Sequence, residues 1–142
     1  MNKKEMNNKG FSLVELIIVI AIMAVLVGVL APQFIKYVER SRQAADLQNV
    51  QELKTAIEVY AADGSLGGNA TITVKNKQAT VDDTNGKAAI EAAGLTSPVT
   101  LKSDWGATGA TYTFSTTNLN WGTPASLQNS KDPKYDMKSV FQ

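Results

Sequence analysis

The chain has 142 residues, 44% hydrophobic and 19% charged, a length that allows one modest domain and one appendage. It contains no cysteine and no histidine, which excludes thiol nucleophiles, disulfides, imidazole acid–base chemistry and metal sites built on these residues. No nucleophile–base pair can be drawn from what remains, so we expect neither an enzyme nor a cofactor. A net charge of +1 provides no overall positive field, and no specific nucleic-acid partner is predicted.

Residues 1–10 form a short basic segment ahead of a long apolar one. Three lysines stand against one glutamate there, and the 21 residues from Phe11 to Ala31 are almost entirely apolar. As a helix, those 21 residues would measure about 31 Å, close to the thickness of the hydrocarbon core of a bilayer. We therefore expect residues 11–32 to cross a membrane once, with the basic end in the cytoplasm.

A cleaved secretory signal is the main alternative for this segment, but such a signal ends in a small-residue cleavage site after its apolar core. Here a helical pattern continues beyond Pro32, and residues 33–62 are amphipathic. The apolar stripe of that part consists of Leu47, Val50, Leu53, Ile57 and Tyr60. The glycines that begin at Gly64 end the pattern, so we expect one helix from Phe11 to about Ala62.

Residues 63–142 have the composition of a small β-rich domain. Polar and apolar residues alternate in four segments that are predicted to be strands, of which the first two form a hairpin: 70–74, 78–82, 99–102 and 110–116. Asn85 is expected to cap a short helix that Gly94 ends. The tail, residues 120–142, is expected to be mostly loop. We predict an α+β fold in which a small antiparallel sheet packs on the apolar stripe of the long helix.

Glu15 is the one ionisable residue within the apolar run. An ionised carboxylate costs about 2.5–3.5 kcal/mol near the centre of a bilayer, and less near its edge, so it needs a partner. The next cation along the helix, Lys36, is 21 residues away. We expect Glu15 to pair with a second molecule, and the alternative is a glutamate tolerated at the membrane interface.

Gly28 and Pro32 weaken the helix where they lie. Pro32 has no N–H for the carbonyl of Gly28, and the two residues make this turn less favourable than an alanine version by about 4 kcal/mol. The pair is predicted to be a soft spot, either an ordinary kink of a membrane helix or a site that melts.

The amino-terminal sequence resembles the class III signal and first helix of type IV pilins and the related pseudopilins. It shares with them a short basic leader ending in Lys9-Gly10, a phenylalanine at Phe11, a glutamate at Glu15, and an uninterrupted apolar run that ends at Pro32. The resemblance extends to about residue 62. The absence of cysteine departs from the many pilins that close a carboxyl-terminal loop with a disulfide.

The resemblance implies a route of processing and assembly. Prepilin peptidase would remove residues 1–10 by cleaving between Gly10 and Phe11, and the new amine of Phe11 would be methylated. With the help of an inner-membrane assembly platform, subunits would then leave the membrane and form a helical homopolymer whose core is the apolar segment. There the Phe11 amine would sit against Glu15 of a neighbouring subunit.

Two functions remain after these expectations. The favoured one is a pilin that forms an extracellular type IV pilus for adhesion, twitching motility or DNA uptake. The alternative is a pseudopilin of a type II secretion or competence apparatus. Major secretion pseudopilins usually carry a tyrosine-proline signature after the helix, and residues 63–71 contain neither residue.

Charged residues of the β-rich part offer weaker candidate sites. Asp82 with Asp83, and Asp132 with Asp136, could supply oxygen ligands to calcium, but neither pair has the spacing of an EF-hand loop, and no metal is predicted. Several lysines lie in the same part of the chain: Lys75, Lys77, Lys87 and Lys102. They lack the aromatic interleaving that is typical of nucleic-acid binding.

Overall fold

The computed structural model of the chain describes residues 10–128 and 135–142. The chain divides into two compact units, Met1–Lys36 and Tyr37–Gln142. The first unit contains the amino-terminal part of helix α1, Leu13–Ala62, and the second contains the rest of α1 together with all strands. Of the expected leader, only Gly10 lies within the described residues.

Helix α1 ends where the glycines predict. Gly64 adopts a positive φ of 80°, a conformation that glycine reaches without steric cost. The N–H of Gly64 then donates to the carbonyl of Ala61 at 3.0 Å, and the N–H of Ser65 donates to that of Tyr60 at 3.2 Å. This pair of bonds satisfies carbonyls of the last turn and stops the helix. Gly94, with a φ of 75°, ends the second helix in the same way, as predicted.

Five short strands form one antiparallel sheet in the order β3-β2-β1-β4-β5. The strands are β1 Ala70–Lys75, β2 Gln78–Thr80, β3 Val99–Thr100, β4 Ala110–Ser115 and β5 Asn120–Trp121. The first two form the predicted hairpin, in which Lys75 pairs with Gln78 across a two-residue turn. On the other side of β1, Ile72 pairs with Tyr112 of β4. The predicted α+β fold is therefore confirmed.

The core of the second unit lies between the sheet and the predicted stripe of α1. Val50, Leu53 and Ile57 are fully buried, and Leu47 and Tyr60 pack on the core while partly exposed. The buried side chains of the sheet alternate along the strands, as the period-two pattern requires. They are Ala70, Ile72, Val74, Ala79, Tyr112, Phe114 and Trp121. The apolar stripe of α1 is thus covered by the sheet of the same unit.

Helix α2, Thr84–Ala92, is capped by Asp83 and not by Asn85, so that prediction was wrong. One oxygen of the Asp83 carboxylate accepts the N–H of Gly86 at 2.6 Å, and the other accepts the N–H and hydroxyl of Thr71 at 2.7 and 2.8 Å. Asp83 directly precedes the helix, which is the position from which a side chain reaches the third helical N–H. One carboxylate therefore joins α2 to β1.

The carboxyl-terminal tail is more ordered than predicted. Met137–Phe141 form a 3₁₀ helix that buries Met137, Val140 and Phe141 in the core. The Phe141 ring stacks on Tyr112 with centroids 4.0 Å apart, and Trp121 meets Phe141 edge-on at 4.8 Å. The expectation of a mostly loop tail did not include this 3₁₀ helix, since long-range aromatic contacts order a segment that has no periodicity of its own.

Asp136 joins two parts of this tail, the segment around Leu127 and the start of the 3₁₀ helix. Its carboxylate accepts hydrogen bonds from the Ser126 hydroxyl at 2.5 Å and from the N–H groups of Leu127 and Lys138, both at 2.9 Å. Burial by itself would raise the pKa of Asp136, but these hydrogen bonds outweigh burial and hold its pKa below the ordinary value of 3.8. Asp132, the other member of this candidate calcium pair, lies outside the described residues.

Asp46 ties a loop of the sheet to α1, a role that the sequence analysis missed. Its fully buried carboxylate accepts the N–H groups of Lys102 and Ser103 at 2.7 and 2.8 Å, and the indole N–H of Trp105 at 3.1 Å. The hydroxyl of Ser103 donates to Glu39 at 2.9 Å. Three N–H donors satisfy a charge that would otherwise be costly to bury.

Replacing Asp46 should therefore destabilise the second unit strongly. Asp46→Ala leaves three inward-facing N–H groups without an acceptor, and we expect a loss of about 3–5 kcal/mol in the free energy of unfolding. Urea unfolding of the full chain in detergent, followed by tryptophan fluorescence, measures it. Glu52→Ala removes an exposed carboxylate from the same helix and should change stability by less than about 0.5 kcal/mol. A loss for Asp46→Ala no larger than that of this control would contradict the prediction.

The lowered pKa of Asp136 predicts that attachment of the tail depends on pH. Because the folded pKa is below the unfolded one, the carboxylate contributes fully to stability above about pH 4, and the contribution is lost as pH falls through the folded pKa. Asp136→Asn should lower the urea midpoint at pH 7 and have a much smaller effect near pH 2. A difference between parent and variant that is the same at both pH values would contradict this role.

Candidate assembly site

The apolar half of α1 has nothing packed on it within the described part of the chain. It contains an 18-residue window with a mean hydropathy of 3.1, none of it buried, and is long and apolar enough to cross a membrane. Its large apolar side chains from Phe11 to Leu30 are between 46 and 84% exposed. A surface of this kind requires lipid or another apolar protein surface to cover it.

Gly10 and Phe11, the expected cleavage residues, precede the helix and are exposed. A Cβ built on Gly10 would meet no atom of the described residues within 4 Å. Accessible backbone of this kind is what a peptidase needs, because the substrate must enter the enzyme's cleft. Cleavage at this bond remains a prediction.

Glu15 forms hydrogen bonds with Ser12 of its own chain, and its pairing with a second molecule stays a prediction. The N–H of Ser12 donates to Oε2 of Glu15 at 3.1 Å, and the N–H of Glu15 donates to Oγ of Ser12 at 3.2 Å. This reciprocal pair is a capping box, and it explains why α1 begins at Leu13 and not at Phe11. The Ser-x-x-Glu spacing ahead of an apolar run is a sequence signal for such a cap, which the sequence analysis did not use.

The cap leaves Glu15 able to bind a cation as well. A carboxylate can accept about four hydrogen bonds, and Ser12 supplies one donor to it. Within residues 10–128 and 135–142, Glu15 forms no ion pair. The carboxylate is exposed on the first turn of α1, one turn away from the Phe11 backbone nitrogen that cleavage would convert into an amine.

Gly28 and Pro32 both lie inside a continuous stretch of helix. Pro32 removes one backbone hydrogen bond from that stretch, and no side chain within the described residues packs against Gly28. The subunit on its own thus keeps its helix through the predicted soft spot. Whether the turn melts during assembly is a separate prediction about the polymer.

The aspartates that were considered as calcium ligands either accept hydrogen bonds from the protein or are exposed. Asp83 caps α2 and Asp136 holds the tail, while Asp82 is exposed. Within the part of the chain that the structure describes, no group of three or more acidic, histidine or cysteine side chains could hold a metal ion.

Comparison with known proteins points to the amino-terminal part of the chain. Residues 6–31 match the family described as the prokaryotic N-terminal methylation motif. Over 64 residues the chain is 38% identical to the type IV major fimbrial protein FimA of Dichelobacter nodosus, covering 45% of this chain and 41% of that protein. Over 56 residues it is 45% identical to the type IV major pilin protein PilA of Myxococcus xanthus, covering 39% of this chain and 26% of that protein.

A third relative matches a somewhat longer part of the chain. The prepilin peptidase-dependent protein A of Clostridium perfringens is 38% identical over 72 residues, which cover 49% of this chain and 51% of that protein. The chain thus spans about half or less of the length of these relatives. No solved structure matches it.

The matched motif and the names of these relatives support the resemblance of the amino-terminal part of the chain to type IV pilins. The long amino-terminal helix and the small antiparallel sheet have the pilin-like α+β arrangement expected for that family.

Proposed function

We propose that the chain is the structural subunit of a type IV pilus. The observation that carries the proposal is the apolar half of α1, whose side chains no described part of the chain covers and which bears the methylation motif. A helix that is apolar on all sides is stable in lipid, and equally in a bundle of identical helices. The same surface can therefore anchor the stored subunit and form the core of the polymer.

In the stored state, residues 11–32 span the inner membrane once, with the basic leader in the cytoplasm and residues 33–142 on the other side. Prepilin peptidase cuts after Gly10, and the amine of Phe11 is methylated. An inner-membrane assembly platform then moves subunits from the membrane into an extracellular filament. These partners and this topology are supported by the family motif and by the open backbone at Gly10.

In the filament, Glu15 pairs with the Phe11 amine of a neighbouring subunit. The capping box supports this role, because it fixes the carboxylate at the start of the helix and leaves it room for a cationic partner. In a dry bundle, such a pair is favourable only when both charges are present. The axial position of each subunit is thereby selected. The soft turn at Gly28 and Pro32 lets the two parts of α1 adjust to one another as subunits pack.

A pseudopilin of a secretion or competence apparatus would share the first 62 residues and their processing. The two functions differ in what reaches the cell surface. Electron microscopy of sheared surface material should show long fibres in the parental strain and none after deletion of the gene, whereas a short pseudopilus would leave both preparations empty.

The first prediction of this proposal concerns processing. Mass spectrometry of the purified protein should find a chain that starts at methylated Phe11. Gly10→Val should block cleavage, because a peptidase that approaches the backbone closely tolerates little side chain at this residue. Asn8→Val, which adds a β-branched side chain two residues away from the scissile bond, is the matched control and should be processed normally. A mature start after Ala31 would refute the assignment.

A second prediction separates the two roles of Glu15. Glu15→Ala removes the carboxylate and, with it, the acceptor for the N–H of Ser12, whereas Ser12→Ala removes the hydroxyl that accepts the N–H of Glu15 and keeps the carboxylate. If Glu15 pairs with a neighbour's amine, Glu15→Ala leaves that amine unpaired in the bundle at a cost of about 3–5 kcal/mol per subunit, while loss of the cap alone costs about 0.5–2 kcal/mol.

The amounts of protein in the membrane and in sheared filaments measure this difference. Glu15→Ala should accumulate in the membrane and form few or no filaments, and Ser12→Ala should form filaments. Equal failure of both variants would assign Glu15 to capping alone. Parental filament levels with Glu15→Ala would instead mean that the glutamate is merely tolerated at the membrane interface.

A further inference from the structure

A groove runs between α1 and α2 on the second unit. Its volume is about 720 Å³, and it is open to solvent. Its floor is formed mostly by small or apolar side chains, among them Ala56, Ala89 and Ala92. Small side chains of this kind leave space for a protruding segment to approach the helix backbones closely.

Two acidic side chains line the same groove. Glu52 and Asp63 are both exposed, and neither forms an ion pair with a residue that the structure describes. Glu52 lies on α1 and Asp63 directly follows the last residue of that helix, so the 11 residues between their positions spread the two acidic residues over about 16 Å of the groove's length. The groove therefore combines an apolar floor with a negative margin.

The protruding segment with the opposite charge is the turn between β1 and β2. Lys75 and Lys77 flank Asn76 at the tip of the hairpin, all three residues are exposed, and neither lysine has an ion-pair partner among the described residues. The carbonyl of Asn76 accepts the N–H of Trp105 at 2.7 Å, and the N–H of Asn76 donates to the carbonyl of Gly106 at 2.8 Å. The neighbouring loop therefore holds the turn in a fixed conformation. A rigid turn loses little entropy on docking.

One subunit does not bring these two surfaces together. The loop that holds the turn is fixed to α1 at Asp46, whereas the groove extends to Asp63, which is 17 residues or about 25 Å further along the helix. Each subunit thus presents an unpaired positive turn and an unpaired negative groove at different places. Two different complementary surfaces on one chain are what an open helical polymer requires.

We propose that the β1–β2 turn of one subunit docks into the α1–α2 groove of a second copy of the chain, with Lys75 and Lys77 facing Glu52 and Asp63. The inference rests on the proposed filament and adds a contact between its globular parts. The apolar floor is buried by the turn, while the charges select the register and exclude other orientations, which is the usual role of charge pairs at an interface.

Charge reversal tests the pairing. Lys75→Glu with Lys77→Glu should reduce sheared filaments at least about tenfold, and Glu52→Lys with Asp63→Lys should do the same, because like charges then face each other across the contact. Since every subunit contributes both surfaces, the four substitutions combined in one chain should restore filaments. Lys87→Glu, an exposed lysine of α2 that does not line the groove, is the matched control and should assemble normally.

Cysteine cross-linking tests the contact directly, since the native chain has no cysteine. In filaments of a chain with Lys77→Cys and Thr55→Cys, a short bismaleimide should produce a ladder of covalent oligomers, because Thr55 lines the groove. The control, Lys87→Cys with Thr55→Cys, should give no ladder.

The outcomes separate this contact from the filament itself. Filaments of the Lys77 and Thr55 double variant that yield no ladder would overturn the docking and leave the pilus function standing. Failure of the four-fold swap to restore filaments, with the protein present in the membrane, would also overturn it. A parental chain that forms no filaments at all would refute the proposed function instead. If a charge-reversed chain does not accumulate in the membrane, the cysteine variant decides.

Discussion

The two parts of helix α1 require different surroundings, although they belong to one continuous helix. Its first part is apolar on every side and has no cover within the described residues, whereas its second part is apolar on one stripe and is covered by the sheet. The second part gains its stability inside the subunit. The first part gains none there, so its burial depends on lipid or on other subunits. The chain thus leaves its most apolar surface uncovered within the described residues, and in the proposed filament neighbouring subunits would cover it.

Glu15 shows how one side chain can serve both surroundings. At the start of a helix, unpaired N–H groups carry a partial positive charge, and an acidic residue in the first turn is favoured there even without any partner molecule. The capping box uses this effect, since Glu15 and Ser12 satisfy one another's backbone N–H groups. The cap holds the carboxylate at the start of the helix, and in the proposed filament this would reduce the entropy lost when the amine of a neighbouring subunit binds it.

The sequence predicted those features that depend on local periodicity, and missed those that depend on distant backbone groups. The stripe from Leu47 to Tyr60 and the first hairpin follow from periods of 3.6 and 2, and both were confirmed. Asp46 looked like an ordinary polar residue of an amphipathic helix, because its donors lie 56 to 59 residues away in a loop. The 3₁₀ helix of the tail was missed for the same reason, because its aromatic partner Tyr112 is distant in the sequence. By contrast, the spacing between Ser12 and Glu15 is enough to predict the capping box. It was overlooked because the apolar run dominates that segment.

Three carboxylates join separate segments of this chain, which has no disulfide. Asp46 joins α1 to the loop before β4, Asp83 joins α2 to β1, and Asp136 joins the tail to the segment after β5. A disulfide acts largely by restricting the unfolded chain, whereas these bonds act only in the folded state. The links are therefore independent of redox conditions but can open one at a time. The Asp136 link holds the 3₁₀ helix Met137–Phe141, and its contribution to stability is lost as pH falls through the lowered pKa of that carboxylate, so acid weakens this link.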